Sequence, residues 1–135
     1  MSFLKLIPLY YLLSFTFSLH TYIVTSSPDP LNHFCFDSQT YPVDGSYCKN
    51  LNNLISYLSF NVPPTGFGLG FVGRQTAETR VNGLALCRGD VKSSDCKTCI
   101  VKATDEIRQH CPNNKGAIIW YDNCLFKYSN EKFFG

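Results

Sequence analysis

Seven cysteines, all of them downstream of an apolar leader, constrain this 135-residue chain more than any other feature. Met1 to Ser26 reads as a secretory signal peptide. It has one cation, Lys5, then an apolar run from Leu6 to about Leu19 with no charged residue, then a more polar stretch with Val24 and Ser26 at the −3 and −1 positions for cleavage. Pro8, Ser14, Thr16 and Ser18 leave the run short for an uncleaved anchor in a ~30 Å hydrocarbon core. The processed chain, about 109 residues from Ser27 onward, is then expected outside the cell with no transmembrane segment. In that oxidising compartment thiols pair, whereas in cytosol they more often bind metal or react. Cys35, Cys48, Cys87, Cys96, Cys99, Cys111 and Cys124 are odd in number, so at most three intramolecular bridges form and one thiol is left over. Cysteine counting alone leaves the pairing open. It excludes one bond, Cys96 to Cys99, which would distort the single helical turn those residues share.

Size and charge narrow the function classes. The length fits one small domain. A net charge of +2 over the full chain, reduced to +1 by loss of Lys5, is too weak a field to imply nucleic acid. With 44% hydrophobic and 16% charged residues, apolar burial competes with chain entropy and the chain should fold. Residues 27–30 form a polar lead-in, and residues 31–135 form a single domain.

Apolar side chains at Tyr47, Leu51, Leu54, Ile55 and Leu58 predict an amphipathic helix from Ser46 to Phe60, with Ser46 as N-cap and Asn61, Pro63 and Pro64 as the stop. Gly66 to Gly73 alternates glycine with Phe67, Leu69 and Phe71, as in a flexible loop or a strand whose glycines admit a close neighbour. Val81 to Cys87 reads as a strand with a bulge at Gly83. A second helix is expected from about Asp95 to His110, capped by Ser93 or Ser94, with Cys96, Cys99, Ile100, Ala103 and Ile107 facing inward. Gly116 to Tyr121 and Cys124 to Tyr128 form a hairpin across Asp122-Asn123. Two helices with several antiparallel strands indicate α+β.

Catalytic and metal chemistry find little support in the residues. Cys96-x-x-Cys99 is half of a thiolate zinc site, but Cys111 and Cys124 are too widely spaced for a second knuckle. A redox dithiol would need a thioredoxin-like βαβ context. Cys48 with His33 or His110 is the one candidate nucleophile pair, and a chain this small rarely supplies a triad, an oxyanion hole and a cleft together. Asp105 and Glu106 diverge on the helix and read as a solvated face, and of Trp120 and Tyr121 one faces the core. No metal, no cofactor and no enzymatic activity are expected.

Cys87-Arg-Gly-Asp-Val-Lys-Ser-Ser-Asp-Cys96-Lys-Thr-Cys99 is a Cys-x8-Cys-x2-Cys signature. With Cys35 and the Leu51 to Leu58 helix upstream, and Cys111-Pro-Asn-Asn, Ile119-Trp-Tyr-Asp-Asn-Cys124 and Phe126-Lys-Tyr-Ser-Asn downstream, it resembles the plant cysteine-rich secretory repeat, the ginkbilobin-homologous domain. The resemblance covers essentially all of the chain after the leader. It implies two helices packed on a five-stranded antiparallel sheet, stapled by disulfides Cys35–Cys111, Cys87–Cys96 and Cys99–Cys124. Cys48 falls outside that framework, as an unpaired thiol or the link of a disulfide dimer.

The resemblance also implies a non-enzymatic defence or recognition role in the apoplast. The family's antifungal seed protein recognises mannose through an Asn, an Arg and a Glu, whose positions here hold Phe36, Ile118 and Ser129. None of the three is retained, so mannose binding by that mode is expected to be lost. A protein or a carbohydrate remains the expected partner. A protein-interaction ectodomain is the alternative, because the end Lys132-Phe-Phe-Gly135 resembles the passage from a first repeat into a linker and a second. A small hydrolase is the least favoured reading.

Overall fold

The computed structural model describes residues 29–36, 39–76 and 78–134, so the leader expected over residues 1–26 lies outside the described residues. Strand β1 (Asn32–Cys35) is followed by helix α1 (Ser46–Asn61), strands β2 (Phe67–Val72) and β3 (Val81–Cys87), helix α2 (Ser93–His110), and strands β4 (Gly116–Trp120) and β5 (Cys124–Ser129). The strands form one antiparallel sheet in the order β1-β4-β5-β3-β2, and both helices cross the same face. Helix α1 carries the chain from the β1 edge to the β2 edge, and α2 links β3 to β4 across the central β5.

Both helices begin without the serine caps expected. Gly45 caps α1 and Lys92 caps α2, each extended and each without a side-chain cap, so Ser46 and Ser93 are the first helical residues. The turn into α1 is closed through the backbone instead, with Gly45 N donating to Pro42 O at 3.0 Å. In α2, Asp95 in the first turn and Arg108 and His110 in the last suit the helix dipole.

Tyr47, Leu51, Leu54 and Leu58 of α1 are buried, as are Cys96, Ile100, Ala103 and Ile107 of α2, while Ile55 and Cys99 are only partly buried. The sheet meets them with Ala85, Ala117, Ile119, Phe126 and Tyr128, all at 0% exposure. β3 runs without the bulge expected at Gly83, which pairs in continuous register with Gly70 and Tyr128. The glycine serves close approach. A Cβ there would sit 2.6 Å from Leu54 Cδ2, and one on Gly68 would sit 2.6 Å from Val62 Cγ2. Glycines on β2 and β3 thus let α1 settle directly on the backbone of that edge.

Three disulfides tie the layers together. Cys87 and Cys124 are directly opposite each other on β3 and β5, and they bond to Cys96 and Cys99 respectively, one turn apart on α2. A Cys-x-x-Cys pair therefore staples one helix to two neighbouring strands. Cys35–Cys111 joins edge strand β1 to the end of α2. Beside it the rings of His33 and His110 stack, with centroids 4.4 Å apart.

Candidate functional site

The sheet face opposite the helices is where the chain has unspent chemistry. Strand alternation sends Phe67, Leu69 and Phe71 of β2 outward, and their glycine neighbours toward α1. Register extends this face across the sheet. Phe67, Leu86, Leu125 and Trp120 form one row, and Leu69, Leu84, Lys127, Ile118 and Phe34 form the next. Phe34, Phe67 and Phe71 are each more than half exposed, at 56%, 54% and 56%. These exposed aromatics share one face of the sheet instead of being scattered singly over the surface.

Lys127 is the one cation within these rows. Its ammonium lies 4.3 Å from the centroid of the Phe133 ring and 5.3 Å from that of Phe36. These residues line a cleft of about 470 Å³ that also includes Ser129, Asn130, Glu131 and Lys132. Gly116 forms its floor, since a Cβ there would come within 3.4 to 3.5 Å of the Phe36 side chain and the Ser129 hydroxyl. At the far edge of the sheet the Arg80 guanidinium lies 3.9 Å above the Phe71 ring.

Phe36 and Ser129 therefore share one cleft, and Ile118, one pleat further along β4, opens onto its neighbour beside Leu86, Trp120 and Leu125. Of the pair Trp120 and Tyr121, the tyrosine is the core residue at 6% exposure. Its hydroxyl donates to Glu106 Oε2 at 2.7 Å, and Glu106 also faces Lys102 Nζ at 3.7 Å. Glu106 is thus a packed partner, not the solvated residue that helix position alone indicated. Burial, reinforced by the Glu106 carboxylate, raises the Tyr121 phenol above the usual tyrosine range.

Cys48 is half-buried, packed against the core, with Arg108 Nη2 3.8 Å from its sulfur. No hydrogen bond joins it to His33 or His110, which stack on each other. Arg88 sits between Asp90 (2.6 Å) and Asp122 (3.0 Å), clipping the loop before α2 to the β4–β5 turn. Its hydrogen bond holds the Asp90 carboxyl below the ordinary range. No group of three or more His, Cys, Asp or Glu side chains with metal-holding geometry occurs among the described residues.

The Lys127 cleft and the aromatic rows were missed from sequence. The signal for the rows was the Phe67, Leu69, Phe71 alternation, read for its glycines instead of for its large residues. Nothing local in the sequence brings Phe36, Lys127 and Phe133 together.

The sequence profile of the salt stress response/antifungal family matches residues 34–131. The chain belongs to that family. It is 52% identical over 118 residues to an antimicrobial ginkbilobin-2-like protein of Castanea crenata, covering 87% of this chain and 47% of the relative. It is 50% identical over 120 residues to cysteine-rich repeat secretory protein 38 of Arabidopsis thaliana, with the same coverage of each chain. The chain thus spans about half the length of these relatives. Among solved structures it is similar to the tandem DUF26 ectodomain of the Arabidopsis thaliana cysteine-rich receptor-like protein PDLP5, with a TM-score of 0.74 at 27% identity, covering 79% of this chain and 52% of that one. The family fold, two helices on a five-stranded antiparallel sheet with three disulfides, is therefore that of both secreted repeat proteins and receptor ectodomains. No helix among the described residues is long and apolar enough to cross a membrane.

Proposed function

We propose that this chain is a secreted, non-enzymatic recognition domain of the plant apoplast, acting in defence, whose partner is a protein docked on the open sheet face. The observation that carries this reading is the exposure of Phe34, Phe67 and Phe71 across one continuous face, with Leu69 and Leu86 between them. Relatives about twice as long, and a solved neighbour described as a tandem ectodomain, favour a second domain of the same fold as the occupant. The domain limits follow the same reading, with a leader over 1–26, a lead-in over 27–30 and one repeat over 31–135.

Mannose is not the ligand of this domain in our reading. Phe36 and Ile118 offer no side-chain hydrogen bond and Ser129 offers a single hydroxyl, where a sugar-selective site needs several fixed polar partners. Calorimetric titration of the secreted, oxidised protein with mannose and yeast mannan tests this directly. No heat is expected at millimolar sugar, and saturable binding would overturn the loss of the site. The protein-docking reading is tested by sedimentation with the part of the Castanea crenata relative that this chain does not cover. A complex abolished by Phe71→Glu is expected, and a failure to associate at 100 µM would sink it.

A further inference from the structure

We propose that the free edge of β2 pairs antiparallel with the same strand of a second copy of this chain, joining two sheets across a two-fold axis at Leu69. β2 is bonded on one side only, to β3. Cys87 N donates to Gly66 O at 2.8 Å, which makes Gly66 and Cys87 a hydrogen-bonded pair. Alternation along the antiparallel ladder then turns the backbone groups of Gly68, Gly70 and Val72 toward β3, and those of Phe67, Leu69 and Phe71 toward the open edge. Of these outward groups only Phe67 O has a partner among the described residues, the Thr65 hydroxyl at 3.1 Å, and a carbonyl keeps a second lone pair. Sheet edges are ordinarily blunted by a charge, a proline, a bulge or a covering element. Phe67–Val72 has no charged residue and no proline, and its register with β3 is continuous. In the connection to β3, Thr79 N and Arg80 N both donate to Thr76 O, and no described residue there bonds the outward groups.

Symmetry selects a second copy over an unrelated strand. Phe67-Gly68-Leu69-Gly70-Phe71 reads the same in both directions. Antiparallel pairing about Leu69 therefore sets Leu69 opposite the partner's Leu69 and Phe67 opposite the partner's Phe71, with glycine opposite glycine on the helix side. Every outward N–H then meets a C=O, about six main-chain bonds in all. The Phe67, Leu69 and Phe71 side chains, 54%, 38% and 56% exposed in one chain, gather with their mates in one cross-strand cluster. Like charges stay apart, since Arg80 lies 3.9 Å over its own Phe71 ring and the two copies of that pair fall at opposite ends of the joined strands. The helices also fit. α1 packs on β2 and β3, so strand spacing puts the two copies of α1 roughly 10 Å apart, an ordinary helix–helix distance, with the half-exposed Tyr57, which covers Gly70, at the seam.

The experiment is sedimentation equilibrium of the oxidised protein alone, with amide hydrogen exchange at low and high protein concentration. A reversible dimer is expected, with about half of the chains paired near 100 µM, as suits a small interface. Raising the concentration should slow exchange at Phe67, Leu69 and Phe71, whereas Gly68, Gly70 and Val72 should be protected at every concentration. Leu69→Glu and Leu69→Lys each place like charges opposite one another on the axis, and each should weaken association at least 10-fold. Mixing the two variants should restore the dimer, because only a two-fold axis at this residue sets Glu against Lys. A single monomeric species at 500 µM, a dimer unaltered in Leu69→Glu, a mixture that stays monomeric, or concentration-dependent protection absent from the three outward amides would each overturn the proposal. The pairing is independent of what docks on the open face, and the two fail separately. Phe34→Glu, at the opposite edge of that face, should weaken docking of the partner domain and leave the dimer intact.

Discussion

Arg108 Nη2 lies 3.8 Å from the sulfur of Cys48, while Nη1 of the same guanidinium bonds the Asn52 side chain at 2.5 Å. The contact ties α2 to α1 through the one cysteine outside the three bridges. It also covers part of the thiol, which is otherwise packed against the core.

Cys48→Ala is therefore expected to fold with all three bridges intact by mass. It should lose about 1 kcal/mol or less in urea denaturation, the range for truncating a small half-buried side chain. With the thiol packed against the core and covered by Arg108, non-reducing electrophoresis of the oxidised wild type should show a monomer, and a reductant-sensitive dimer absent from the variant would show that Cys48 reaches a second chain. A dimer persisting in Cys48→Ala would mean that a framework cysteine is exchanging.

Gly83→Ala should cost about 1 to 3 kcal/mol, the usual range for overpacking, because its Cβ would lie 2.6 Å from Leu54 Cδ2 and 3.1 Å from Leu58 Cδ1. Gly89→Ala is the control, since nothing lies within 4 Å of a Cβ there. Thermal denaturation of both should separate them clearly, and equal stability would mean that α1 can lift off β3 without penalty.

Removing the disulfides one pair at a time should destabilise in the order of the loops they close. Cys35–Cys111 spans 76 residues, Cys99–Cys124 spans 25 and Cys87–Cys96 spans 9. The chain-entropy relation gives about 4.5, about 3.5 and about 2.6 kcal/mol. Paired Cys→Ala variants in urea, with the remaining bridges verified by mass, check the ranking. A reversed order would show that native packing around the short loop outweighs the entropy of the long one.

Burial raises the phenols of Tyr47, Tyr121 and Tyr128 well above the ordinary tyrosine range. In the unfolded chain each ionises near pH ~10. Folding holds them protonated, so their contribution to stability is complete below about pH 10 and is lost as pH rises above it. Urea midpoints should fall from pH 9.5 to 11.5. Absorbance at 295 nm should show these three phenols ionising only together with the loss of circular dichroism.

Helix positions, the β4–β5 hairpin and the α+β class were all legible in the sequence, because Tyr47, Leu51, Leu54 and Leu58 keep helical spacing and Pro63 follows the end of α1. The caps were not, since Gly45 is held by a backbone bond to Pro42 that no side-chain preference announces. Gly83 signalled a special position, but whether it bends a strand or admits a helix depends on Leu54, 29 residues away and on another element. The candidate site was least legible of all. Phe36 and Lys127 meet only because β1 and β5 both flank β4.

The bridge from Cys35 to Cys111 has a consequence for how copies of this chain can exchange parts. β1 is only four residues long and lies at the sheet edge, the kind of element most easily traded between molecules. Once the bond has formed, that strand is fastened covalently to the end of α2 in its own chain. Any swapped dimer must therefore be decided before oxidation, and a mature monomer stays a monomer at this edge unless the disulfide is reduced.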